Sequence, residues 1–318
     1  MSGISVICAY EDNNTVLITG ANLQVVSGAG GTGATVNGTG NIIIGYDEDD
    51  GNEKSGSHNL VVGKYHTYSS YGGVVVGLNN SITGIYSSVS GGGSNTAEGG
   101  VSSVSGGYNN TATGDYSSVS GGQYNNALGD DSSVSGGGGN VAEGSKSYVS
   151  GGVNNTAEGY YSSVSGGFSN TAEGEYSSVS AGWSNVAQGD YSSVSGGRYN
   201  SAFGGSSSVS GGNGNLASGG YSSVSGGDNN TASGERSSVS GGYYNFASGD
   251  YSSVLGGDYN TAGGEMSSVS GGGNNAAMGV ISSVSGGQYN TASGYISSVS
   301  GDALHTFLDN SSDGNTID

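Results

Sequence analysis

Only 9% of the 318 residues are charged, five are basic, one is cysteine, one is tryptophan and none is proline. Each scarcity closes off a class of protein. Five basic against 25 acidic residues, a net charge of −20, leave no basic stripe to neutralise phosphates, so nucleic acid is not an expected partner. The same balance disfavours docking on anionic lipid. The single Cys8 excludes an internal disulfide framework. Low charge also sets the chain apart from disordered proteins, which combine low hydrophobicity with high charge. No apolar run approaches the length of a transmembrane helix, so no membrane insertion is expected. The opening MSGISVICAYEDNN has neither the basic n-region nor the apolar core of a signal peptide. An extracellular or cell-surface location would then follow from processing, another export route, or release by lysis as part of a virion.

Groups that do chemistry are scarce too. The three histidines are His58, His66 and His305, none near a nucleophile motif. His58 and His66 are eight residues apart with no cysteine or acidic partner at ligand spacing, and read as ordinary turn residues. Glycine pairs are frequent, but no Walker lysine follows them. The expectation is a protein that is not an enzyme, with no catalytic, cofactor or metal site.

What the chain has in abundance is one sentence repeated. From Ser87 to Ser300 a unit of the form SSVSGGxxNTAxGxY recurs, its Val falling at Val89, Val104, Val119 and every 15 residues to Val299. Asn95, Asn110 and Asn125 onward to Asn290, and Ala97, Ala112 and Ala127 onward to Ala292, keep the same period. A fixed short period signals repeat architecture. Fifteen residues rich in Gly, Ser and Asn are too short and too poor in helix formers for a helical repeat. Ser-Val-Ser and Asn-Thr-Ala alternate with period two, and glycines close each run, so the unit reads strand, corner, strand, corner.

Stacked at about 4.8 Å per turn, fifteen such coils make a parallel β-solenoid about 70 Å long. Val points inward on one strand and Asn and Ala on the other, while Ser, Thr and the varied positions point out. Inward Asn side chains form an amide ladder along the axis. One Val and one Ala per turn bury little apolar surface against the entropy of ordering fifteen residues, which favours association between chains. An outward row offers itself for that contact: Val101, Tyr116, Tyr161, Tyr176, Tyr191, Tyr221, Tyr251, Met266, Ile281 and Ile296 share one position of the unit, with Asp131, Lys146, Ser206 and Arg236 in the same file.

Four segments follow. Residues 1–40 read as a β-rich cap or docking segment, with a hairpin from Ile4–Tyr10 and Thr15–Thr19, a third run at Leu23–Val26 and a flexible Gly/Thr-rich connection. Residues 41–86 are degenerate, more apolar first coils, with Gly-to-Gly steps of 18, 14 and then 15 residues. Their insertion carries Asp47, Glu48, Asp49, Asp50 and Glu53, read as a solvated acidic loop rather than a calcium site. Residues 87–300 are the regular solenoid. Residues 301–318 are a C-terminal cap, with Leu304, Phe307 and Leu308 covering the last coil, and a polar tail.

The unit S-V-S-G-G-x-x-N-T-A-x-G resembles the head repeat of trimeric autotransporter adhesins, the YadA-like family. SGSHNLVVGKYHTYSSYGGVVVG, Ser55 to Gly77, is similar to the start of surface proteins carrying such heads. The matched positions are the Val file, glycines such as Gly92 and Gly99, and the Asn and Ala files. The resemblance covers roughly residues 40–300 and implies a left-handed β-roll, three chains side by side, exposed on a bacterial surface and used for attachment to host, matrix or surface ligands. The unit is one residue longer than the family's, Gly takes the place of its second apolar residue, and no coiled-coil stalk or barrel anchor follows. The variable outward residues Phe168, Trp183, Arg198 and Tyr243 are where ligand contacts would differ from coil to coil. A self-assembling filament joined end to end through its termini, or a virion fibre, is the alternative. Ice binding ranks last, because the outward Thr row is interrupted by Asn126, Val141, Val186, Leu216 and Phe246.

Overall fold

A computed structural model describes residues 8–10, 15–18, 20–49, 51–301, 306–307 and 316–317. They form an all-β parallel solenoid of about 17 turns with about 15 residues per turn, and contain no helix. The first wall stacks Ile42–Ile44, Leu60–Lys64 and Val74–Leu78, then Ser88–Val89 and its equivalents to Ser298–Val299, and ends on Thr316–Ile317. The second wall runs from Thr67–Tyr68 and Ser81–Ile82 through Thr96–Ala97 to Thr306–Phe307. Between the walls, isolated parallel bridges from Leu78↔Gly93 to Gly273↔Gln288 form a third, narrow file. Every strand pairs with the turns before and after it, so both walls are open stacks whose end strands have one free side.

One turn, residues 162–176, shows how the stack holds. The amides of Ser163, Ser165, Phe168, Thr171 and Glu173 donate to carbonyls of the next turn, while those of Ser169 and Tyr176 donate back to Val153 and Tyr160. Inside lie Ser162, Val164, Asn170 and Ala172, all inaccessible to solvent. The core is therefore a set of single-residue files, as the alternation of Val, Asn and Ala predicts. It contains one file that the sequence reading places outside. The first Ser of each unit, from Ser87 to Ser297, is buried. The period-two alternation that sends Val89 inward sends Ser87, two residues earlier, inward as well.

The corners differ from expectation too. The Tyr-rich row is not an outward strand position: Val101, Tyr116, Tyr161, Tyr176, Tyr191 and the rest of that file have φ between 51° and 59°. A second such corner runs through Ser94, Asn109, Tyr124, Tyr199, Tyr244 and Tyr259. At these points the chain reverses between walls, which requires the left-handed backbone that non-glycine residues seldom adopt. The expected glycine corners divide in two. Gly92 has φ +78°, whereas Gly99 is required by contact, because a Cβ there would lie 2.0 Å from the carbonyl oxygen of Gly114.

At the N-terminal end, Cys8–Tyr10 and Thr15–Leu17 pair antiparallel, the core of the expected hairpin, with Ile4 and Thr19 outside the described residues. Leu23–Val26 is not a strand. The Gly/Thr-rich connection is tied to the first turn: Ser27 N–H donates to Nε2 of His58 (3.0 Å), Asn37 N–H to Oγ of Ser57 (3.0 Å) and Gly38 N–H to the carbonyl of Ser55 (2.8 Å). At the other end Phe307 falls in register with Ala292 and Ile317 with Val299. Leu304, His305, Leu308 and most of the polar tail lie outside the described residues.

Candidate functional site

The acidic insertion is organised by its own lysine. Lys54 Nζ lies 3.2 Å from Oδ1 of Asp47 and donates to the carbonyls of Asp47 (2.5 Å) and Glu48 (2.9 Å), oxygens of the kind that would otherwise coordinate a cation. The hydroxyl of Tyr68 donates to Oδ2 of Asp47 at 2.8 Å. Burial, followed by the Asp47 carboxylate, pushes the Tyr68 phenol well above its ordinary range. Asp50 lies outside the described residues. Among those residues no group of three or more His, Cys, Asp or Glu could hold a metal ion. Among the described residues no helix is long and apolar enough to cross a membrane.

Of the histidines, His58 sits at a corner with φ +58°, as a turn residue would. His66 does not. It is buried and heads the amide ladder: its Nδ1 accepts the N–H of Asn80 (3.2 Å) and its Nε2 meets the carbonyl of Val62 (3.1 Å). In this arrangement the ring bears its proton on Nε2, so one nitrogen accepts and the other donates, as the amide of Asn does. From Asn80 onward each Oδ1 accepts the backbone N–H of the next Asn, as Asn95 N–H does at 2.8 Å. Each Nδ2 bridges two turns: that of Asn170 donates to the carbonyls of Gly166 (2.9 Å) and Gly182 (3.0 Å).

With the interior filled by these files, most of the exposed aromatic side chains lie on or beside the two corner rows. Along the first, Tyr161, Tyr176 and Tyr191 stack with ring centroids 5.3 and 5.0 Å apart and planes within 9° and 4° of parallel. The row accepts cations. The Arg236 guanidinium is sandwiched between Tyr221 (5.4 Å) and Tyr251 (5.3 Å), and donates to the Tyr251 hydroxyl. Lys146 Nζ sits 5.0 Å from the Tyr161 ring centroid and 5.7 Å from that of Tyr160. Hydrogen bonding to Tyr161 and Tyr160 holds its ammonium above the usual lysine range, and the same contact pulls the Tyr161 phenol down. Carboxylates flank this row one residue earlier, where they also finish the backbone: Oδ1 of Asp190 accepts the N–H of Glu175 (3.0 Å) and Oδ1 of Asp250 that of Glu235 (2.9 Å).

The opposite corner carries the four varied residues singled out from the sequence. Phe168 packs edge-on against Trp183 (5.8 Å) and Trp183 lies 6.1 Å from Tyr199. Tyr243 meets Tyr244 and Tyr259, and Tyr244 and Tyr259 stack at 5.3 Å. The residues immediately after the four, among them Tyr199 and Tyr244, escaped sequence reading. Their signal is a recurrent Tyr just before the invariant Asn, at a place where strict alternation breaks. No protein-family model matches the chain, and no curated protein matches it in sequence.

Proposed function

We propose that this chain is a non-enzymatic structural fibre protein that presents repeated surface for attachment outside the cell, as a laterally packed homotrimer of left-handed rolls with the N-terminal segment as cap. The observation that carries this reading is the pair of exposed aromatic corner rows on a rod whose interior is filled by single-residue files. Large exposed aromatic surface marks interaction sites, and the varied corner residues give each turn a different contact chemistry. The thin apolar core gives lateral partners a further role in stability. Mass in solution across a dilution series tests it: a concentration-independent species near three times 30.9 kDa, about 93 kDa, is expected. A stable monomer refutes it.

An end-to-end filament is the second reading, favoured by one feature. Among the described residues Ile42–Ile44 forms the first strand of its wall, pairs only with Leu60–Val62 and leaves its three isoleucines 42–59% exposed. Such an edge is a template for strand addition. Polydisperse growth with concentration would select this arrangement.

A further inference from the structure

The first corner row has one missing rung. Its file reads Tyr176, Tyr191, Ser206, Tyr221, Arg236, Tyr251, so Ser206 stands between two tyrosines just as Arg236 does. Across two turns, roughly 10 Å, the ring faces of Tyr191 and Tyr221 are separated by a side chain too short to reach either. These rings are 63% and 62% exposed. The neighbouring corner residues Gly205 and Gly220 bear no side chain, and a Cβ at Gly220 would meet nothing within 4 Å. The slot beside Ser206 therefore has the form of the one that Arg236 fills thirty residues later, and that slot shows what fits: a flat cation between two tyrosine faces.

The chain also carries a candidate for it. Arg198 is exposed in the file of isolated bridges beside the opposite corner row and, unlike Arg236, has neither an ion pair nor a ring contact. It belongs to the same turn as Ser206, residues 192–206. Because the two corner rows lie on opposite edges of the coil, two copies placed side by side at equal height bring Arg198 of one against Ser206 of the other. The same registration sets Arg236 opposite Asp228, Lys146 opposite Gly138 and Gly139, and Ile281 opposite Gly273. Every basic residue of the regular turns then meets a carboxylate, an open slot or a pair of glycines. We propose that the slot formed by Tyr191, Ser206 and Tyr221 receives the guanidinium of Arg198 from a second copy of this chain, fixing the axial register of lateral association. The contact is head-to-tail, so it generates a closed ring or an open array rather than a two-fold pair. The inference rests on the lateral packing proposed above and specifies the side chains that set it.

The test uses the full chain in sedimentation velocity over a dilution series, with Ser206→Tyr, Arg198→Ala and the double variant. Tyr at 206 adopts the backbone that Tyr191 and Tyr221 already have, with φ of 59° and 58°, and both positions are exposed, so the circular dichroism of the variants should match the parent. Ser206→Tyr fills the slot and Arg198→Ala removes its occupant. Each is expected to raise the lateral dissociation constant about tenfold or more, and the double variant should be no weaker than the worse single one, because both act on one contact. Association of the parent with unchanged constants in both variants overturns the slot and leaves lateral packing standing. Additive losses in the double variant also overturn it, since they place the two residues in separate contacts. A parent that is monomeric at every concentration removes the lateral packing itself, and the second copy as occupant with it.

Discussion

In the turns before Ser87 the first wall is built from strands of three to five residues, Ile42–Ile44, Leu60–Lys64 and Val74–Leu78; after it every strand of that wall has two. The interior changes at the same place. The file that holds Ala97 and all later alanines holds Tyr68 and Ile82 in the early turns, and the Asn ladder begins at His66. Register locates the cause. Val61 pairs with Val75 and Val75 with Val89, steps of 14 residues, whereas Leu78 pairs with Gly93, a step of 15. The added residue therefore lies between Val89 and Gly93, in the Ser-Gly-Gly corner, where it acts as a bulge repeated in every later turn. It cuts a five-residue strand into a two-residue strand and an isolated bridge. What the regular turns lose in strand length and apolar filling they recover through the amide ladder and close backbone contact.

Close contact should be the most sensitive feature of the regular turns. A Cβ at Gly174 would lie 2.3 Å from the carbonyl oxygen of Gly189, backbone that cannot move without shifting a whole turn. Gly174→Ala is expected to destabilise by about 3 kcal/mol or more, at or beyond the upper end of ordinary overpacking. Gly166→Ala, eight residues earlier with nothing within 4 Å of its Cβ, should melt close to the parent. The early turns carry Ser70 in the file of Gly84 and Gly99, so a side chain is accommodated beside Tyr68 and Ile82. Equal melting temperatures for the two glycine variants would mean that the stack yields at this close contact without loss.

The ladder comes next. Asn170→Ala removes the bonds that Nδ2 donates to Gly166, Gly182 and Asn155 and leaves the buried N–H of Asn185, which Oδ1 of Asn170 accepts at 3.0 Å, without that partner. A loss of about 2–4 kcal/mol is expected in thermal or denaturant unfolding. His66→Asn should stay within about 1 kcal/mol of the parent, because the imidazole already presents one acceptor and one donor in the places an amide would. A large loss from His66→Asn would show that the early turns need the wider ring and that the two regions are not one continuous ladder.

Much of this architecture is legible in the residues. The period sets the stack, and alternation sets the inward Val, Asn and Ala, because a parallel wall leaves little freedom in register. The acidic insertion was legible as a loop outside the coil, but Lys54 as its internal cation was not, since that contact depends on how the loop folds back. The corners are hard to read for a related reason. Val, Tyr and Ile are strand formers by propensity, and only the chain reversal places Val101, Tyr116 and Ile281 in left-handed backbone. Ser87 and its equivalents look like surface serines, and their burial follows from extending the strand one residue before the unit's visible alternation. His66 shares no residue type with the Asn file it heads, so its role emerges only from its hydrogen bonds.

The serine file separates the two ends of the regular stack from its middle, since Ser297 at the far end donates to Gly294 as Ser87 does to Gly84. Ser87, where the regular turns begin, donates its hydroxyl to the carbonyl of Gly84 at 2.8 Å, whereas Oγ of Ser162 is buried with no partner. Ser87→Ala should cost about 1 kcal/mol, and Ser162→Ala should leave stability unchanged or raise it by up to about 1 kcal/mol. A comparable loss at both sites in parallel melts would show that the hydroxyls bond alike at the ends and in the middle of the stack.

The smallest effect concerns charge. In the first turn Asp47 is neutralised by Lys54, but in the regular turns Glu143, Glu158 and Glu173 occupy one outward file at successive turns with no cation between them. Partial burial, and then the carboxylates of Glu173 and Glu143, raise the Glu158 carboxyl above its ordinary value. A carboxyl whose pKa is higher in the folded than in the unfolded chain opposes folding when ionised. Its penalty is absent below the ordinary carboxylate range and complete once pH has risen past the raised value. Glu158→Gln removes that penalty, so it should raise the melting temperature slightly at about pH 7 and leave it unchanged at about pH 3, where both chains are neutral at this position. Added salt should shrink the neutral-pH difference, because the three carboxylates face solvent. A gain that persists at low pH would come from packing rather than from charge. It would remove the electrostatic distinction between a loop that carries its own cation and a file of three glutamates that has none.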